Sequence, residues 1–269
     1  MLTFLFWNTN SKDLLEPVVH LATEYEPDLL ILIEPALSQV TLLETLNNRS
    51  GPLYYLTTSL CEDISILSRF PEQFITPIYE SGRITIRKLL LPATDEILLV
   101  AVHLPSRLYV SKESQPAEFF ELSRTIREVE HQVGHTRTIL LGDLNANPFD
   151  VALVSSAGLN ATMSKQIAAR RKRIVQSRKY PFFYNPMWSL LGDNSPGPPG
   201  TYFYRQSEDV CYYWHMIDQV LLRPELMEKL AEDTPNIITT AGDLNLTSKN
   251  CPNKKKFSDH LPILFRLKI

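Results

Sequence analysis

Short apolar runs that end on polar residues recur along the chain. Leu2–Asn8 ends on an amide, Ile97–His103 ends on an imidazole, and residues 29–34 end on the carboxylate of Glu34. A fourth run, residues 138–145, ends on Gly-Asp-Leu-Asn, and a fifth, residues 216–222, contains Asp218 near its start. Apolar runs of this length predict buried strands. Their polar ends are expected at the rim of a sheet, where a substrate can reach them.

Two longer segments carry apolar residues at helical spacing. Residues 14–25 predict a helix, and so do residues 116–133, whose aromatic and aliphatic stripe is expected in the core. A short helix is expected at residues 149–156. Residues 165–179 also favour a helix because of their Ala and Arg content. Residues 185–205 have the Pro and Gly content of a loop, and the aromatic residues there and after it predict either stacking faces or simple packing of the loop.

Composition narrows the class of protein. The chain has 269 residues, of which 44% are hydrophobic and 21% charged, so it can bury a core, and we expect a single domain over residues 1–269. No apolar run is long enough for a membrane span, and the first residues read as a strand and not as an export signal. Cys61, Cys211 and Cys251 have no disulfide or zinc spacing, which is typical of a cytoplasmic protein.

Two polar motifs lie next to apolar strands and have the residue types of phosphate-ester hydrolysis. In residues 140–148, Asp143 could accept a proton from water and Asn145 could donate a hydrogen bond to a phosphate oxygen. In residues 258–262, Asp259 could bind a metal ion and His260 could polarise the phosphate. In isolation, however, Asp-x-Asn also fits a turn, and Asp-His also fits a surface ion pair.

Considered together, the polar positions resemble the endonuclease/exonuclease/phosphatase superfamily, the deoxyribonuclease I-like proteins, over nearly the whole chain. The positions that match are Asn8, Glu34, His103, Asp143, Asn145, Asp218, Asp259 and His260. Residues 63–71, which end Leu-Ser-Arg-Phe-Pro, are similar to another strand of that family, and Gly82 and Arg83 begin the next strand. The resemblance implies an α/β fold: a four-layer α/β sandwich of two mostly antiparallel or mixed sheets packed face to face, with helices outside.

The resemblance also implies roles for these residues. Asp143 orients or deprotonates the attacking water, Asn145 donates to the phosphate, and His260 contacts the phosphate or water while its other ring nitrogen binds Asp218. His103 matches a histidine near the leaving group. A neutral or acidic partner could tune it, and Glu80 is a candidate.

Glu34 is the first choice of ligand for Mg²⁺, with Mn²⁺ as a substitute, because a hard cation prefers oxygen donors. Asn8 and Asp259 would complete the metal shell.

Basic residues are concentrated in two places, although the chain has a net charge of −3. One stretch, residues 165–179, includes Arg170, Arg171, Lys172 and Arg173, and the other is Lys254, Lys255 and Lys256. Each predicts either a phosphate-binding clamp beside the active rim or an ordinary solvated surface. Arg83 is a further candidate for substrate binding.

These features predict a Mg²⁺-dependent phosphodiesterase, with a DNA nuclease as the leading hypothesis. Three alternatives remain open: a nuclease acting on RNA, a phosphatase or phosphodiesterase of a small or lipid phosphate, and a non-catalytic binding module. Two departures from the family pattern bear on the choice. Ile33 stands where the family often has Gln, and the residues after Asn145 differ from those of abasic-site endonucleases, so abasic-site repair is not the first choice.

Overall fold

A computed structural model describes residues 1–48, 51–106, 114–192, 194–205 and 213–269. Within these ranges, no helix combines the length and the apolar character needed to cross a bilayer. Cys61 is a buried free thiol and Cys251 is also free, whereas Cys211 lies outside the described residues, as does the aromatic Tyr212.

Strands make up most of the regular structure. In chain order they are β1 (Leu2–Asn8), β2 (Leu29–Ile33), β3 (Tyr55–Leu56), β4 (Ile64–Ser68), β5 (Ile75–Glu80), β6 (Ile84–Leu89), β7 (Ile97–His103), β8 (Thr138–Asp143), β9 (Ala161–Thr162), β10 (Lys172–Val175), β11 (Arg178–Pro181), β12 (Phe183–Tyr184), β13 (Tyr202–Phe203), β14 (Trp214–His215), β15 (Asp218–Leu222), β16 (Asn236–Ile237), β17 (Thr240–Ala241), β18 (Leu244–Asn245), β19 (Thr247–Ser248), β20 (Cys251–Pro252) and β21 (Ile263–Leu267). The predicted strands that end on polar residues are therefore present.

The helices are fewer than the strands. They are α1 (Leu15–Tyr25), α2 (Gln39–Asn47), α3 (Gln115–Val133), α4 (Val151–Val154), α5 (Lys165–Ala168) and α6 (Pro224–Met227), with 3-10 turns at Glu72–Phe74 and Pro186–Leu190. The two long predicted helices are confirmed as α1 and α3, and the short one is α4. The helix expected over residues 165–179 is wrong beyond Ala168, because the chain turns at Arg171, where φ is 66°, and forms the β10–β11 hairpin.

Two large sheets hold most of the strands. One has six strands in the order β16-β21-β1-β2-β4-β3, and the other has seven in the order β5-β6-β7-β8-β15-β12-β9. The pairs β1–β2 and β7–β8 are parallel, and β1–β21 and β8–β15 are antiparallel. Both sheets are therefore mixed, as expected.

Side chains of the central strands alternate between the two faces of each sheet, and this alternation explains the layers of the sandwich. In β1, Phe4 and Phe6 belong to a core that also contains Leu99 and Ile139 of the other sheet, so this core lies between the sheets. Residues on the outer face of the six-stranded sheet pack with apolar residues of α1 and α2. Those on the outer face of the seven-stranded sheet pack with apolar residues of α3 and α4. The arrangement of helices, sheet, sheet and helices is the predicted four-layer sandwich.

Candidate active site

Polar side chains from both sheets meet at one edge of the sandwich. In the seven-stranded sheet, His103 pairs with Asp143, and Asp143 pairs with Asp218. In the other sheet, Asn8 pairs with Ile33, directly before Glu34. The two sheets are joined at this edge because Nδ2 of Asn8 donates to Oδ2 of Asp143 at 3.0 Å.

The turn after β8 is fixed by its own side chains. Oδ1 of Asp143 accepts from the backbone N–H of Asn145 at 2.9 Å, which is the Asp-x-Asn turn that local chemistry predicts. Asn145 has a φ of 48°, its Nδ2 donates to the carbonyl of Leu104 at 2.8 Å, and its own carbonyl accepts from Gln115 at 2.8 Å. One N–H of the Asn145 amide is therefore used within the protein, and the position of Asn145 is determined by the fold.

The predicted contact between Asp218 and His260 is present. Nδ1 of His260 lies 2.8 Å from Oδ2 of Asp218, and both residues are buried. The loop that carries His260 is anchored on β1, because Trp7 Nε1 donates to the His260 carbonyl and Ser258 donates to the Asn8 carbonyl. The ring of Tyr202 lies 5.0 Å from that of His260, centroid to centroid. The Asp218–His260 pair is thus held on several sides.

Burial and neighbouring charges determine the protonation states of Asp143 and His260. Burial, followed by repulsion from Asp218, raises the pKa of Asp143 to about 6, against the opposing effect of His260 and His103. Burial alone would lower the pKa of His260, but the charge and the hydrogen bond of Asp218 outweigh it and raise that pKa to about 10. At neutral pH, Asp143 is therefore mostly a carboxylate and His260 is an imidazolium.

A second cluster consists of Glu34, His103 and Asp63. Nε2 of His103 lies 3.1 Å from Oε1 of Glu34, and Nδ1 lies 3.4 Å from Oδ2 of Asp63 without hydrogen-bond geometry. The hydrogen bond from His103, opposed by burial and assisted by Ser11, lowers the pKa of Glu34 to about 2. Burial tends to lower the pKa of His103, but the bond to Glu34 and the nearby carboxylates raise it on balance.

The acidic partners of His103 differ from the one that the sequence predicts. Glu80 does not take this role, because its carboxylate binds the buried guanidinium of Arg87 at 2.7 Å and also accepts from Ser59 and Thr85. Glu34 and Asp63 contact His103 instead. Asp63 was missed as a site residue, although it directly precedes a predicted strand.

The site has an excess of negative charge and unpaired oxygens. Its ionisable groups are five carboxylates (Glu34, Asp63, Asp143, Asp218 and Asp259) and two imidazoles (His103 and His260). Oδ1 of Asp218 and Oδ1 of Asp259 are buried and have no hydrogen-bond partner in the described part of the chain. A divalent cation would offset the charge and use such oxygens, so the donor set fits a metal ion.

Two sets of residues could hold that ion. Asp143, Asp218 and His260 have donor atoms within 4.8 Å of one another, the one such three-residue group among the described residues. Because Nδ1 of His260 already binds Asp218, the oxygen donors of Glu34, Asp259 and Asn8 suit a hard cation better. This second set is the predicted one, and it stays a prediction.

Only part of the predicted substrate-binding surface lies at the site. The exposed Arg83 reaches the backbone carbonyl of His103, with Nη1 at 3.4 Å. The exposed Lys254, Lys255 and Lys256 form the turn just before Asp259, and Lys12 Nζ binds the carbonyls of Lys254 and Phe257 there. These cations border the edge that carries Asp259 and His260.

The sequence predicts a basic clamp beside the active rim, but the structure does not place it there. Its residues are Arg170, Arg171, Lys172 and Arg173. They begin the β10–β11 hairpin, which leads into β12, and Tyr184 of β12 pairs with Leu222. Leu222 lies at the opposite end of β15 from Asp218. Four residues of strand separate the two, which is a distance of about 13 Å. Arg171 pairs with Glu225, beyond that far end, at 3.5 Å. The topology of the seven-stranded sheet separates this basic segment from the site.

Comparison with known proteins gives one family and several structures. The model of the endonuclease/exonuclease/phosphatase family matches residues 5–260. A Neisseria 3′ phosphatase, NExo, solved with a product DNA hairpin, is similar in structure, with a TM-score of 0.60 and 17% identity over 99% of each chain. An AP endonuclease from Archaeoglobus fulgidus has a TM-score of 0.59 and 17% identity over 100% of each chain. Truncated TDP2 from Caenorhabditis elegans has a TM-score of 0.56 and 18% identity over 98% of this chain and 97% of its own. No curated protein sequence matches the chain.

Proposed function

The chain belongs to the endonuclease/exonuclease/phosphatase family, and on that premise we propose that it is a Mg²⁺-dependent nuclease that hydrolyses DNA phosphodiester bonds. The observation that carries the proposal is the convergence of buried Asp143, Asp218 and His260 beside the Glu34–His103 pair. Phosphodiester hydrolysis needs an activated water, charge stabilisation on the phosphate and help for the leaving oxygen. This edge of the sandwich offers side chains for each task.

Asp143 activates the water. Its pKa, raised to about 6 by burial and by Asp218, leaves it ionised at neutral pH yet basic enough to take a proton. The bonds from Asn8 and from the backbone of Asn145 fix the carboxylate, so that water is oriented by a rigid group.

His260 stabilises the phosphate. Asp218 holds the Nδ1–H, so the proton on Nε2 is the one available to a non-bridging oxygen. With a pKa raised to about 10, the ring brings a full positive charge to that oxygen. Asn145 adds a neutral donor through the second hydrogen of its amide.

His103 assists the leaving oxygen. Against the lowering effect of burial, the hydrogen bond with Glu34 and the charges of Asp143 and Asp63 raise its pKa, which favours the protonated ring that can give a proton to the departing alkoxide. Glu34, Asp259 and Asn8 would hold the metal ion, which, when bound, acts as a Lewis acid toward the phosphate. Mn²⁺ is expected to replace Mg²⁺ because it accepts the same oxygen donors.

A substrate panel tests the proposal. The purified chain and its Asp143→Asn variant are incubated with supercoiled plasmid, linear duplex, single-stranded DNA and RNA, with Mg²⁺ or with chelator. We expect metal-dependent cleavage of DNA that the variant loses, and the products distinguish internal nicking from trimming at ends. Cleavage of RNA alone would change the substrate to RNA. Cleavage of no polymer by a folded protein, with phosphate release from small esters, would overturn the nuclease assignment.

A further inference from the structure

We propose that the β10–β11 hairpin is a second nucleic-acid-binding surface, separate from the active site, that holds the phosphate backbone of substrate lying outside the site. The inference rests on the proposed nuclease function. It starts from the position of the hairpin, which the topology places at the far end of β15 from Asp218.

The hairpin is a rigid platform. Its strands pair over the full register from Lys172 with Pro181 to Val175 with Arg178. The two turn residues, Gln176 and Ser177, have φ values of 47° and 63°, as a tight type I′ turn requires. Asn160 Nδ2 binds the carbonyls of Tyr180 and Pro181 at 3.0 and 3.1 Å, so the base of the hairpin is fixed to the body of the protein.

The alternation of side chains gives the hairpin an inner and an outer face. Residues directly opposite one another point to the same side, so Arg173 and Tyr180 share one face, and Nη2 of Arg173 binds the carbonyl of Val154 at 3.0 Å. Lys172, Ile174 and Lys179 share the other face, and all three are exposed. Arg178 belongs by register to the face of Arg173, but it lies at the turn end of the hairpin, where it is exposed. Arg173 therefore anchors the hairpin, and Lys172, Lys179 and Arg178 present cations to solvent.

Charge is concentrated here against the trend of the chain. Residues 165–179 contain seven of the 27 Lys and Arg residues and no Asp or Glu, although the whole chain has a net charge of −3. The side chains of Lys172, Arg178 and Lys179 have no ion-pair or hydrogen-bond partner among the described residues, and all are exposed. Unpaired cations on a rigid surface are suited to neutralising phosphates.

A nucleic acid fits this surface better than an anionic membrane does. Arg170 and Arg178 are exposed, and the planar fork of an Arg side chain matches phosphate oxygens in pairs. The exposed apolar residues of the hairpin are Ile174 and Val175, a small area for insertion into lipid. A DNA strand also extends beyond the scissile bond, so it can occupy a site and a remote surface together, whereas a small phosphate ester cannot.

Binding without turnover tests the surface. In an Asp143→Asn background with chelator, the affinity for a 30-base-pair duplex is measured over a range of salt concentrations. The hairpin variant carries Lys172→Gln, Arg178→Gln and Lys179→Gln, and a matched control carries Arg124→Gln, Lys229→Gln and Lys268→Gln, which remove the same charge elsewhere. We expect the hairpin variant to bind roughly tenfold more weakly at moderate salt, with a salt slope shallower by about 0.9 for each phosphate that the protein no longer neutralises. The control should bind like the parent.

Further measurements separate the outcomes. A Lys172→Arg, Arg178→Lys, Lys179→Arg variant keeps the charge and should keep the affinity, and circular dichroism checks that each variant is folded. Equal affinity and equal salt slope for the hairpin variant and the control would overturn the proposal. Hairpin-dependent binding to phosphatidylserine vesicles with unchanged DNA binding would overturn it too, in favour of a membrane. Turnover of bis(4-nitrophenyl) phosphate by the parent chain tests the catalytic function separately, so hairpin-dependent DNA binding without turnover would contradict only the nuclease.

Discussion

The position of Asp63 in the site depends on strand pairing that cannot be read from the sequence. The register of β2 with β4 pairs Ile33 with Ile64, and this places Glu34 next to Asp63. The backbone N–H of Glu34 donates to the carbonyl of Asp63 at 2.9 Å, and the Asp63 carboxylate lies 3.4 Å from His103. In the sequence, Asp63 is recognisable only as a carboxylate directly before an apolar strand. Its role in the site follows only when the antiparallel pairing of that strand with β2 is known.

Replacement of Asp63 by Ala should alter the protonation of His103. The carboxylate is one of the groups that raise the pKa of His103, so its removal should lower that pKa. If protonated His103 assists the leaving group, the alkaline limb of the pH–rate profile should move to lower pH, and kcat should fall roughly tenfold. Steady-state hydrolysis across pH 5 to 10 measures both effects.

Glu62→Ala is the matched control for that experiment, because Glu62 is the exposed neighbour of Asp63. It should leave the profile unchanged. An Asp63→Ala enzyme with the parent profile would show that Asp63 does not influence the reaction.

His260 should make the metal-free protein less stable as pH rises above neutral. Its pKa is raised in the fold to about 10 from an ordinary value of 6.5, so the folded state binds more protons than the unfolded state between these values. The stabilisation is complete below pH 6.5 and is lost as pH rises through 10. We expect the free energy of unfolding in chelator to fall by on the order of a few kcal/mol over this range.

Asp218→Asn tests the cause of that pH dependence, since Asp218 supplies the charge and the hydrogen bond that raise the pKa of His260. Urea unfolding at a series of pH values should give a much flatter dependence for this variant, whatever its absolute stability. A slope as steep as that of the parent would assign the effect to other groups.

At the level of elements, apolar periodicity predicted the strands and long helices because burial decides them. The strand Ile97–His103 and the helix that ends at Tyr25 were identified from alternation and helical spacing, and both lie within the packed layers. The hairpin Lys172–Pro181 was not predicted, because its exposed residues show no apolar periodicity. The Ala and Arg content of this segment is only weak evidence for a helix. Local turn geometry at Arg171, Gln176 and Ser177 decides this segment instead.

The junction of β7 and β8 should tolerate no side chain at Gly142. Its φ is 146°, and a Cβ there would lie 2.0 Å from the carbonyl oxygen of Val102, in the neighbouring parallel strand. Gly142→Ala must therefore move the strands apart next to His103 and Asp143. We expect a loss of at least about 3 kcal/mol in stability and a large fall in kcat. Chemical denaturation and steady-state assays measure the two effects.

Gly82→Ala provides the comparison, because a Cβ at Gly82 would have no heavy atom within 4 Å. That substitution should change the stability by less than about 0.5 kcal/mol. If Gly142→Ala were equally harmless, the backbone at this junction would have to be more adaptable than its geometry indicates.

For the whole molecule, the position of the site follows from the way two sheets share one edge. Each motif could be found in the sequence because it ends an apolar run, but the contact of Asn8 with Asp143 joins residues 135 positions apart in different sheets. The resemblance to a known family supplied that arrangement, and apolar periodicity did not. The same topology separates the basic hairpin from the site, which no local pattern could reveal.

The concentration of carboxylates at the active site should make the stability of the whole protein depend on divalent cations. Mg²⁺ at about 100 times its dissociation constant stabilises a folded protein by about 2.7 kcal/mol, which is roughly 5 to 10 °C in Tm for a chain of this size. We expect such a shift by thermal circular dichroism for the parent, and little or none for Glu34→Gln combined with Asp259→Asn. In chelator, the double variant should unfold at a lower temperature than the parent, because the amide that replaces the Glu34 carboxylate cannot make its charged hydrogen bond with His103, which lowers the pKa of Glu34 to about 2. Exposed acids elsewhere, replaced as Glu232→Gln with Asp243→Asn, should leave the Mg²⁺ shift intact. A shift that persists without Glu34 and Asp259 would move the metal ion to Asp143, Asp218 and His260.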